Sequence, residues 1–244
     1  MKIEQVKKQK RLFTIMYLLF LVIIVGVFVL FVAFQDNQKT NGFIFFIVLI
    51  PLFVLSLYFK PKIEYLNHQY YLLKLIEEDI TPIKYKQNVF HKLWAQSILT
   101  KGQYKRHQNN DNYLLLYKVI KDPYKPKKKS YQTLEAILIH KHKNISFNIE
   151  AVKEDLFELE ATYLKDFKNR SIILVQFMEV DEFNEQTINN IKELTYYKNK
   201  RTFHLTLNVG INTTTKEALY VDGENKLYIN YYSYGLKLID TYIN

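Results

Sequence analysis

A small set of acidic and histidine side chains in the second half of the chain could take part in catalysis. Glu179 and Asp181 follow the apolar run SIILVQFM, and carboxylates at the end of a strand can hold Mg²⁺ or act as general acid and base. His140 and His142 flank one lysine, and strand alternation would place both imidazoles on one face. These residues indicate one hypothesis, a metal-dependent hydrolase.

Ordinary structural roles explain the same residues without a catalytic site. The acidic residues at 179–185, including Glu182 and Glu185, precede a predicted helix, whose N-terminal dipole favours negative charge. The histidine pair has no third ligand in the sequence, and Glu154, Asp155 and Glu158 are typical of solvated charge. His204 alternates with apolar neighbours and is interpreted as structural.

The chain also lacks the motifs that accompany common reactions. No cysteine is present, which excludes disulfides, thiolate metal sites and cysteine nucleophiles. The six glycines are not spaced for a phosphate-binding loop, and no G-x-S-x-G or H-E-x-x-H sequence occurs. We therefore expect no catalytic residue, no cofactor and no bound metal.

The segment KDPYKPKKKS at residues 121–130 packs five lysines and two prolines into ten residues. Its five lysines are Lys121, Lys125, Lys127, Lys128 and Lys129. Beside an anionic inner leaflet they could bind lipid headgroups, and the prolines predict an extended loop. The alternative is a merely solvated loop. Nucleic acid ranks third, because lysine lacks the bidentate base recognition of arginine. Further basic residues could extend this patch: Lys84, Lys86, Lys101, Lys105 and Arg106.

Two uncharged apolar runs near the N-terminus predict membrane spans at about 12–34 and 43–59. The first has twenty-three residues, long enough to cross a bilayer core as a helix, and no cleavage site follows it. Only a short loop separates the runs, so residues 1–60 are predicted to form a transmembrane helical hairpin. Pro51 predicts a kink and Pro61 a break in the helix.

Positive charge on both outer flanks of the two runs predicts the topology. Lys2, Lys7, Lys8, Lys10 and Arg11 precede the first run, and Lys60 and Lys62 follow the second. The intervening loop has only Lys39, opposed by Asp36. By the positive-inside rule both termini are cytoplasmic, in a multi-pass protein of the cell membrane.

Residues 61–244 are predicted to form one cytoplasmic α+β domain with a mostly antiparallel sheet and several helices. Predicted helices cover 63–80, 88–99 and 184–197. Predicted strands cover 113–120, 133–140, 145–149, 171–178, 202–209, 218–221 and 226–232. Residues 154–167 fit either a strand or a helix. Tyr231, Tyr232 and Tyr234 near the C-terminus could stack on bases or contact a partner, but packing in the core or on the sheet surface is favoured, because no basic residue lies among them.

Three stretches resemble a bacterial family of two-span membrane proteins with a cytoplasmic domain of unknown function. They are FELEATYLKDFKNRSIILV, NNIKELTYYKNKRTFHLTL and NKLYINYY, within residues 156–232. The excess of lysine over arginine, thirty to four, also indicates an A/T-rich bacterial genome. The resemblance implies the architecture but no activity and no site residues.

The sequence as a whole favours a membrane-anchored cytoplasmic interaction or scaffolding protein with a basic surface facing anionic lipid. Its predicted partners are the bilayer and a protein that the sequence does not identify, and a homodimer is compatible with the pattern. The alternatives are a membrane-bound metal-dependent hydrolase and a membrane tether for nucleic acid.

Overall fold

The computed structural model describes residues 3–33, 40–167, 169–198, 202–222 and 230–244. The chain divides into two compact units, residues 1–74 and 75–244. The first unit is helical, and the second contains a mixed β-sheet with helices, so the α+β class predicted from the sequence is confirmed.

The first unit consists of α1, Ile3–Ala33, and most of α2, Thr40–Glu77. Among the described residues, one helix, Ile3–Val32, is long and apolar enough to cross a membrane. The second predicted span lies within α2, but the side chains of residues 41–49 are outside the described part of the chain. The structure therefore contains one candidate span, and it does not show the predicted two-helix transmembrane hairpin.

The α2 helix continues through both of its prolines. Pro51 and Pro61 are internal, so the break predicted at Pro61 is wrong. The helix carries the predicted amphipathic segment at its C-terminal end, where Leu66, Leu72 and Leu75 are buried. Proline inside a helix removes one backbone hydrogen bond, and the buried Phe59 and Leu66 lie on either side of Pro61 in the continuous helix.

The second unit is built on an eight-stranded sheet in the order β1-β8-β7-β5-β4-β3-β2, with β6 also paired to β7. The strands are β1, Ile83–Lys84; β2, Lys105–Asn109; β3, Tyr113–Lys121; β4, Tyr131–His140; β5, Asn169–Glu179; β6, Thr195–Lys198; β7, Thr202–Asn212; and β8, Glu217–Leu219. The remaining helices are α3, Lys92–Lys101; α4, Glu150–Tyr163; α5, Glu185–Lys192; and α6, Asn230–Ile243.

Most of the described strand pairs run antiparallel, as the sequence predicted, but the centre of the sheet is parallel. The β4–β5 and β5–β7 pairs run parallel, and the outer pairs run antiparallel. Parallel strands are joined by crossovers, here α4 and the α5–β6 segment, and are buried on both faces. That burial explains the uninterrupted apolar run of β5 from Ile172 to Val175.

Helices cover the two faces of the sheet. On one face, Val152 and Leu159 of α4 pack with Leu134, Leu138 and Leu174 of the strands. On the other face, Trp94 of α3 contacts Phe177 edge to face, and α6 packs on β5 and β7. The central strands are thus covered by helices on both faces.

Two secondary-structure predictions are resolved by this packing. The ambiguous segment 154–167 is helical as far as Tyr163, because Val152 and Leu159 face the core two turns apart. Residues 230–232 begin α6 and are not the predicted strand, while 226–229 lie outside the described residues. The α6 residues that face the sheet recur at helical spacing, namely Tyr232, Leu238, Ile239, Tyr242 and Ile243.

Candidate functional site

The lysine loop, residues 121–130, connects β3 to β4 and is fixed to the domain through Asp122. The buried Asp122 carboxylate accepts hydrogen bonds from the backbone N–H groups of Tyr124 and Lys125, both at 2.9 Å. It also accepts a hydrogen bond from the Tyr231 hydroxyl of α6. Burial and the Asp122 charge both raise the pKa of Tyr231, so its hydroxyl stays a donor.

The five lysines of the lysine loop present uncompensated positive charge. All are exposed, and within the described part of the chain none forms an ion pair with a carboxylate. The ammonium groups of Lys125 and Lys128 lie 4.5 Å and 5.6 Å from the centroid of the Tyr131 ring. The N–H of Lys128 donates to the Lys125 carbonyl at 3.0 Å, so the loop forms turns and is not extended as predicted.

The wider basic patch predicted from the sequence is not one surface. Lys84 lies in β1 and Lys105 in β2, at opposite edges of the sheet. Lys84 already pairs with Glu217 at 3.0 Å. Lys105 and Arg106 lie on the strand beside β3, which leads into the lysine loop, so they could extend its charge.

The structure brings Glu179 and Asp181 together around a lysine. The Lys143 Nζ lies 3.1 Å from Glu179 and 3.2 Å from Asp181. Asn144 donates to Asp181 at 2.7 Å, and the Thr213 hydroxyl donates to Glu179 at 2.6 Å. The hydrogen bonds from Asn144 and Lys143 lower the pKa of Asp181. The ammonium group of Lys143 thus contacts both carboxylates, at the position where a metal-dependent hydrolase would bind its metal ion.

The helix-start interpretation of the acidic cluster is confirmed at its C-terminal end. Asn184 caps α5 and accepts a hydrogen bond from the N–H of Thr187 at 2.9 Å. Glu185 lies in the first turn, where negative charge meets the positive end of the helix dipole. Glu182 is exposed beside the cap and accepts from the Asn184 amide at 3.1 Å.

The two histidines of the predicted pair have different environments. His142 is exposed, whereas His140 is buried at the end of β4 and packs edge to face on Phe147. The His140 Nε2 lies 3.3 Å from the Gln176 side-chain oxygen. Burial lowers the pKa of His140 to about 4, so the ring is neutral at pH 7. Neither contact of His140 involves Glu179 or Asp181, so this histidine does not join the two carboxylates in one site.

A cleft of about 460 Å³ lies between α4 and the strands β5 to β7. Its wall is apolar and comes mainly from α4 and the segment before it, with Phe147, Ile149, Val152, Leu156 and Phe157. Its floor is polar and comes from the sheet, with Gln176, His204, Thr206 and Asn208. This combination of an apolar wall and a few polar groups is typical of small-molecule sites.

The buried amides of the cleft floor are already satisfied by the protein. Gln176 donates to the Asn208 side-chain oxygen at 3.0 Å. The Asn208 amide donates to the carbonyls of Asn190 and Glu193 at 3.1 Å and 2.9 Å. These bonds bring the end of α5 onto β7, and they leave the amides little capacity for a ligand.

Glu160, one of the charged residues that line the cleft together with Lys153 and Glu193, is also paired. It lies 3.5 Å from the His204 ring and 3.4 Å from the Arg170 guanidinium. The hydrogen bond from His204, together with Arg170, lowers the pKa of Glu160. The polar groups of the cleft therefore serve the fold, and the lysine loop is the stronger candidate for binding.

The sequence did not predict the cleft, although it did indicate the polar face of β7 that forms part of the cleft floor. His204, Thr206 and Asn208 alternate with apolar residues in β7, which correctly indicates a polar face. The sequence does not reveal which helix covers that face, because this depends on the parallel crossover between β4 and β5.

Comparison of the chain with models of protein families, with curated proteins and with solved structures returned no match. The resemblance to two-span bacterial membrane proteins therefore stays a prediction.

Proposed function

We propose that the protein is a membrane-anchored interaction protein whose cytoplasmic domain contacts the anionic inner leaflet through the lysine loop. The observation that carries this proposal is the group of five exposed lysines that lack ion-pair partners among the described residues. Each lysine near an anionic leaflet contributes roughly 1 kcal/mol. The loop is fixed to the sheet by Asp122, so headgroup binding would orient the whole domain.

The anchor in this proposal is the pair of spans at 12–34 and 43–59, with both termini in the cytoplasm. The α1 helix has the length and hydropathy of a span. The second run carries no charge, and Phe59 of α2 lies 5.3 Å from Phe20 of α1. Basic residues flank the outer ends of both runs, as the positive-inside rule requires.

The absence of cysteine makes this topology directly testable. Single cysteines at Gln38 and Lys165 report on the loop between the spans and on the domain. In intact cells, a membrane-impermeant thiol reagent should label Gln38→Cys but label Lys165→Cys only after lysis. Labelling of Lys165→Cys from outside would overturn the cytoplasmic placement.

Headgroup contact is tested with the full-length chain reconstituted in lipid nanodiscs. The rate of reductive methylation of each lysine is measured in zwitterionic discs and in discs containing anionic phosphatidylglycerol. We expect slower modification of the lysine loop in the anionic discs, with the difference lost at high salt because exposed charges are screened. Equal rates in both lipids would overturn the proposal.

A charge-matched control distinguishes an effect of the lysine loop on lipid binding from an effect of the net charge of the protein. One variant replaces the five loop lysines with glutamine. The control replaces five exposed lysines elsewhere in the domain, namely Lys92, Lys153, Lys165, Lys216 and Lys237. We expect only the loop variant to lose lipid-dependent protection of the flanking β3–β4 backbone in hydrogen exchange.

The same preparations distinguish the proposal from a nucleic-acid tether. If added RNA protects the lysine loop more than anionic lipid does at physiological salt, the membrane assignment fails and the tether replaces it. The hydrolase alternative is not pursued, because Glu179 and Asp181 contact Lys143 and His140 contacts Gln176 instead.

A further inference from the structure

His107, Asp155 and Glu158 bring three potential metal ligands together between β2 and α4. One ligand atom of each residue lies within 4.8 Å of the other two. The His107 Nε2 is 3.6 Å from an Asp155 oxygen, and these side chains are only 18% and 15% exposed. Glu158 is exposed at the mouth of the cluster. An imidazole nitrogen and carboxylate oxygens are ligands of divalent first-row transition metals.

The ligands are positioned by two different elements. Asp155 and Glu158 are three residues apart on α4, so they lie on one face of that helix. His107 lies in the edge strand β2, where the register shifts between Arg106 and Gln108. Its ring packs edge to face on Tyr117, with 6.0 Å between the ring centroids. Such bulges re-aim single side chains and are frequent beside functional sites.

A buried tyrosine orients the central carboxylate. The Tyr113 hydroxyl donates to the second Asp155 oxygen at 2.6 Å, while the first oxygen faces His107. Partners of this kind fix the direction in which a carboxylate presents its ligating oxygen.

The negative charge at this cluster contrasts with the net positive charge of the whole chain. The chain has 34 lysines and arginines and a net charge of +10. Within the described residues, however, neither Asp155 nor Glu158 forms an ion pair with lysine or arginine. The nearby Glu154 adds a third negative charge that acts on Tyr113. An added cation would therefore meet local negative charge with no internal competitor.

We propose that His107, Asp155 and Glu158 bind a divalent transition-metal ion of the zinc class. Three protein ligands leave a coordination position open for water or a small anion, unlike a closed four-ligand structural site. Donors bound tetrahedrally to one zinc ion at about 2.0–2.2 Å lie about 3.3–3.6 Å apart, so the ligand atoms must draw together by roughly 1 Å. Binding thus requires only a small inward movement, which the exposed Glu158 side chain can supply.

The imidazole of His107 favours a zinc-class ion over magnesium or calcium. Magnesium and calcium prefer sites made of oxygen ligands, whereas zinc and cobalt bind nitrogen and oxygen together. We expect zinc to bind in the presence of a large excess of magnesium. Cobalt is the spectroscopic probe, because its visible absorption reports the number and type of its ligands.

The test uses the full-length, metal-stripped protein in detergent, purified without a polyhistidine tag. Zinc alone is titrated by calorimetry, and cobalt alone by visible absorption. Stoichiometric binding is expected for the wild type. Glu158→Gln should weaken zinc binding at least tenfold, and His107→Ala should abolish the visible cobalt band. Because Glu158 is exposed, its substitution leaves the fold intact, as unchanged thermal unfolding without metal will verify.

Two control variants match these changes outside the cluster. Glu150→Gln removes an exposed carboxylate of the same helix, and His142→Ala removes an exposed histidine. Both should bind zinc as the wild type does. Tyr113→Phe keeps all three ligands and should weaken binding by about 10–100-fold, as expected of a carboxylate partner in the outer shell.

Three results would overturn the site. The first is zinc affinity unchanged by Glu158→Gln and His107→Ala together. The second is equal loss of affinity in the Glu150→Gln or His142→Ala control. The third is displacement of zinc by millimolar magnesium, which would remove the assignment to the zinc class. None of these readouts depends on lipid binding by the lysine loop.

Discussion

Gln176 of β5 donates a side-chain hydrogen bond to Asn208 of β7, at 3.0 Å, across the parallel pair at the centre of the sheet. The two residues are direct neighbours in the strand register, and both are buried. The Asn208 amide in turn donates hydrogen bonds to the backbone carbonyls of Asn190 and Glu193 at the end of α5. One buried amide pair thus fixes the crossover between β5 and β7.

Replacing Asn208 with leucine should destabilise the domain strongly. The side chain keeps a similar volume, but the carbonyls of Asn190 and Glu193 and the Gln176 amide lose their partner. Buried groups left without a hydrogen bond cost about 1–3 kcal/mol each. We expect a loss of about 2–5 kcal/mol in unfolding free energy, measured by urea denaturation with Trp94 fluorescence. Asn189→Leu, at an exposed position of α5, should change little.

Glu135 is a second buried polar centre, on the opposite face of β4. Its carboxylate is fully buried and accepts hydrogen bonds from Tyr104 and Tyr234, both at 2.7 Å, and from Lys118 at 3.2 Å. Breaking a buried charge pair by removing one partner typically costs about 3–5 kcal/mol. Glu135→Ala should approach this loss, while Glu135→Gln should lose less because it still pairs with the hydroxyls.

A double-mutant cycle tests whether this network acts as a unit. If Glu135→Gln and Tyr234→Phe are coupled, their combined effect on the urea midpoint will be smaller than the sum of the single effects. Strict additivity would contradict the hydrogen bond between these two side chains.

His140 should make the stability of the domain depend on pH. Burial lowers its pKa to about 4 in the folded protein, below the value of about 6.5 in an unfolded chain. The unfolded chain therefore binds a proton first, and stability falls as the pH drops from about 6.5 to about 4. A shift of this size corresponds to roughly 3 kcal/mol.

Comparison of variants isolates this effect from other titrating groups. The unfolding free energy of the wild type and of His140→Leu is measured between pH 7 and pH 4. The wild type should lose more stability over this range, while His142→Leu should follow the wild type because His142 is exposed. Parallel curves for the wild type and His140→Leu would show that the buried ring is not responsible.

Gly235 allows α6 to approach the sheet closely. A Cβ at this position would overlap the Cδ1 of Leu207 and contact Ile173. Overpacking of this kind costs about 1–3 kcal/mol, more than the roughly 0.5–1 kcal/mol that alanine gains over glycine in a helix. Gly235→Ala should therefore lower the melting temperature. Adding Leu207→Val should restore part of the loss, and a double variant less stable than the sum of both changes would contradict this contact.

The elements predicted correctly are those whose local pattern agrees with their final environment. The uncharged run from Leu12 needs only its length and composition to be recognised as a span-length helix. The strand from Ser171 to Met178 is apolar on both sides because it is buried on both faces. The helix cap at Asn184 could likewise be predicted, since its side chain accepts a hydrogen bond from the N–H of Thr187 in the same helix.

The features that were missed depend on residues far apart in the chain. The α6 helix begins with a tyrosine-rich segment that favours a strand, but Tyr232, Leu238 and Ile239 bury helically against the sheet. Asp155 was interpreted as solvated charge, yet it accepts a hydrogen bond from the buried Tyr113. Its approach to His107 follows from the docking of α4 on β2 and β3, which no local pattern encodes.

The two borders of the sheet discourage growth of the sheet by addition of another strand. At one end β1 has only two residues, and at the other β2 is interrupted by the register shift at His107 and carries Lys105 and Arg106 on exposed positions. Short, bulged or charged outer strands oppose pairing with a second chain. These borders favour separate domains over β-linked aggregates, and they would do so even at the high local density that the proposed membrane anchor would impose on copies of this chain.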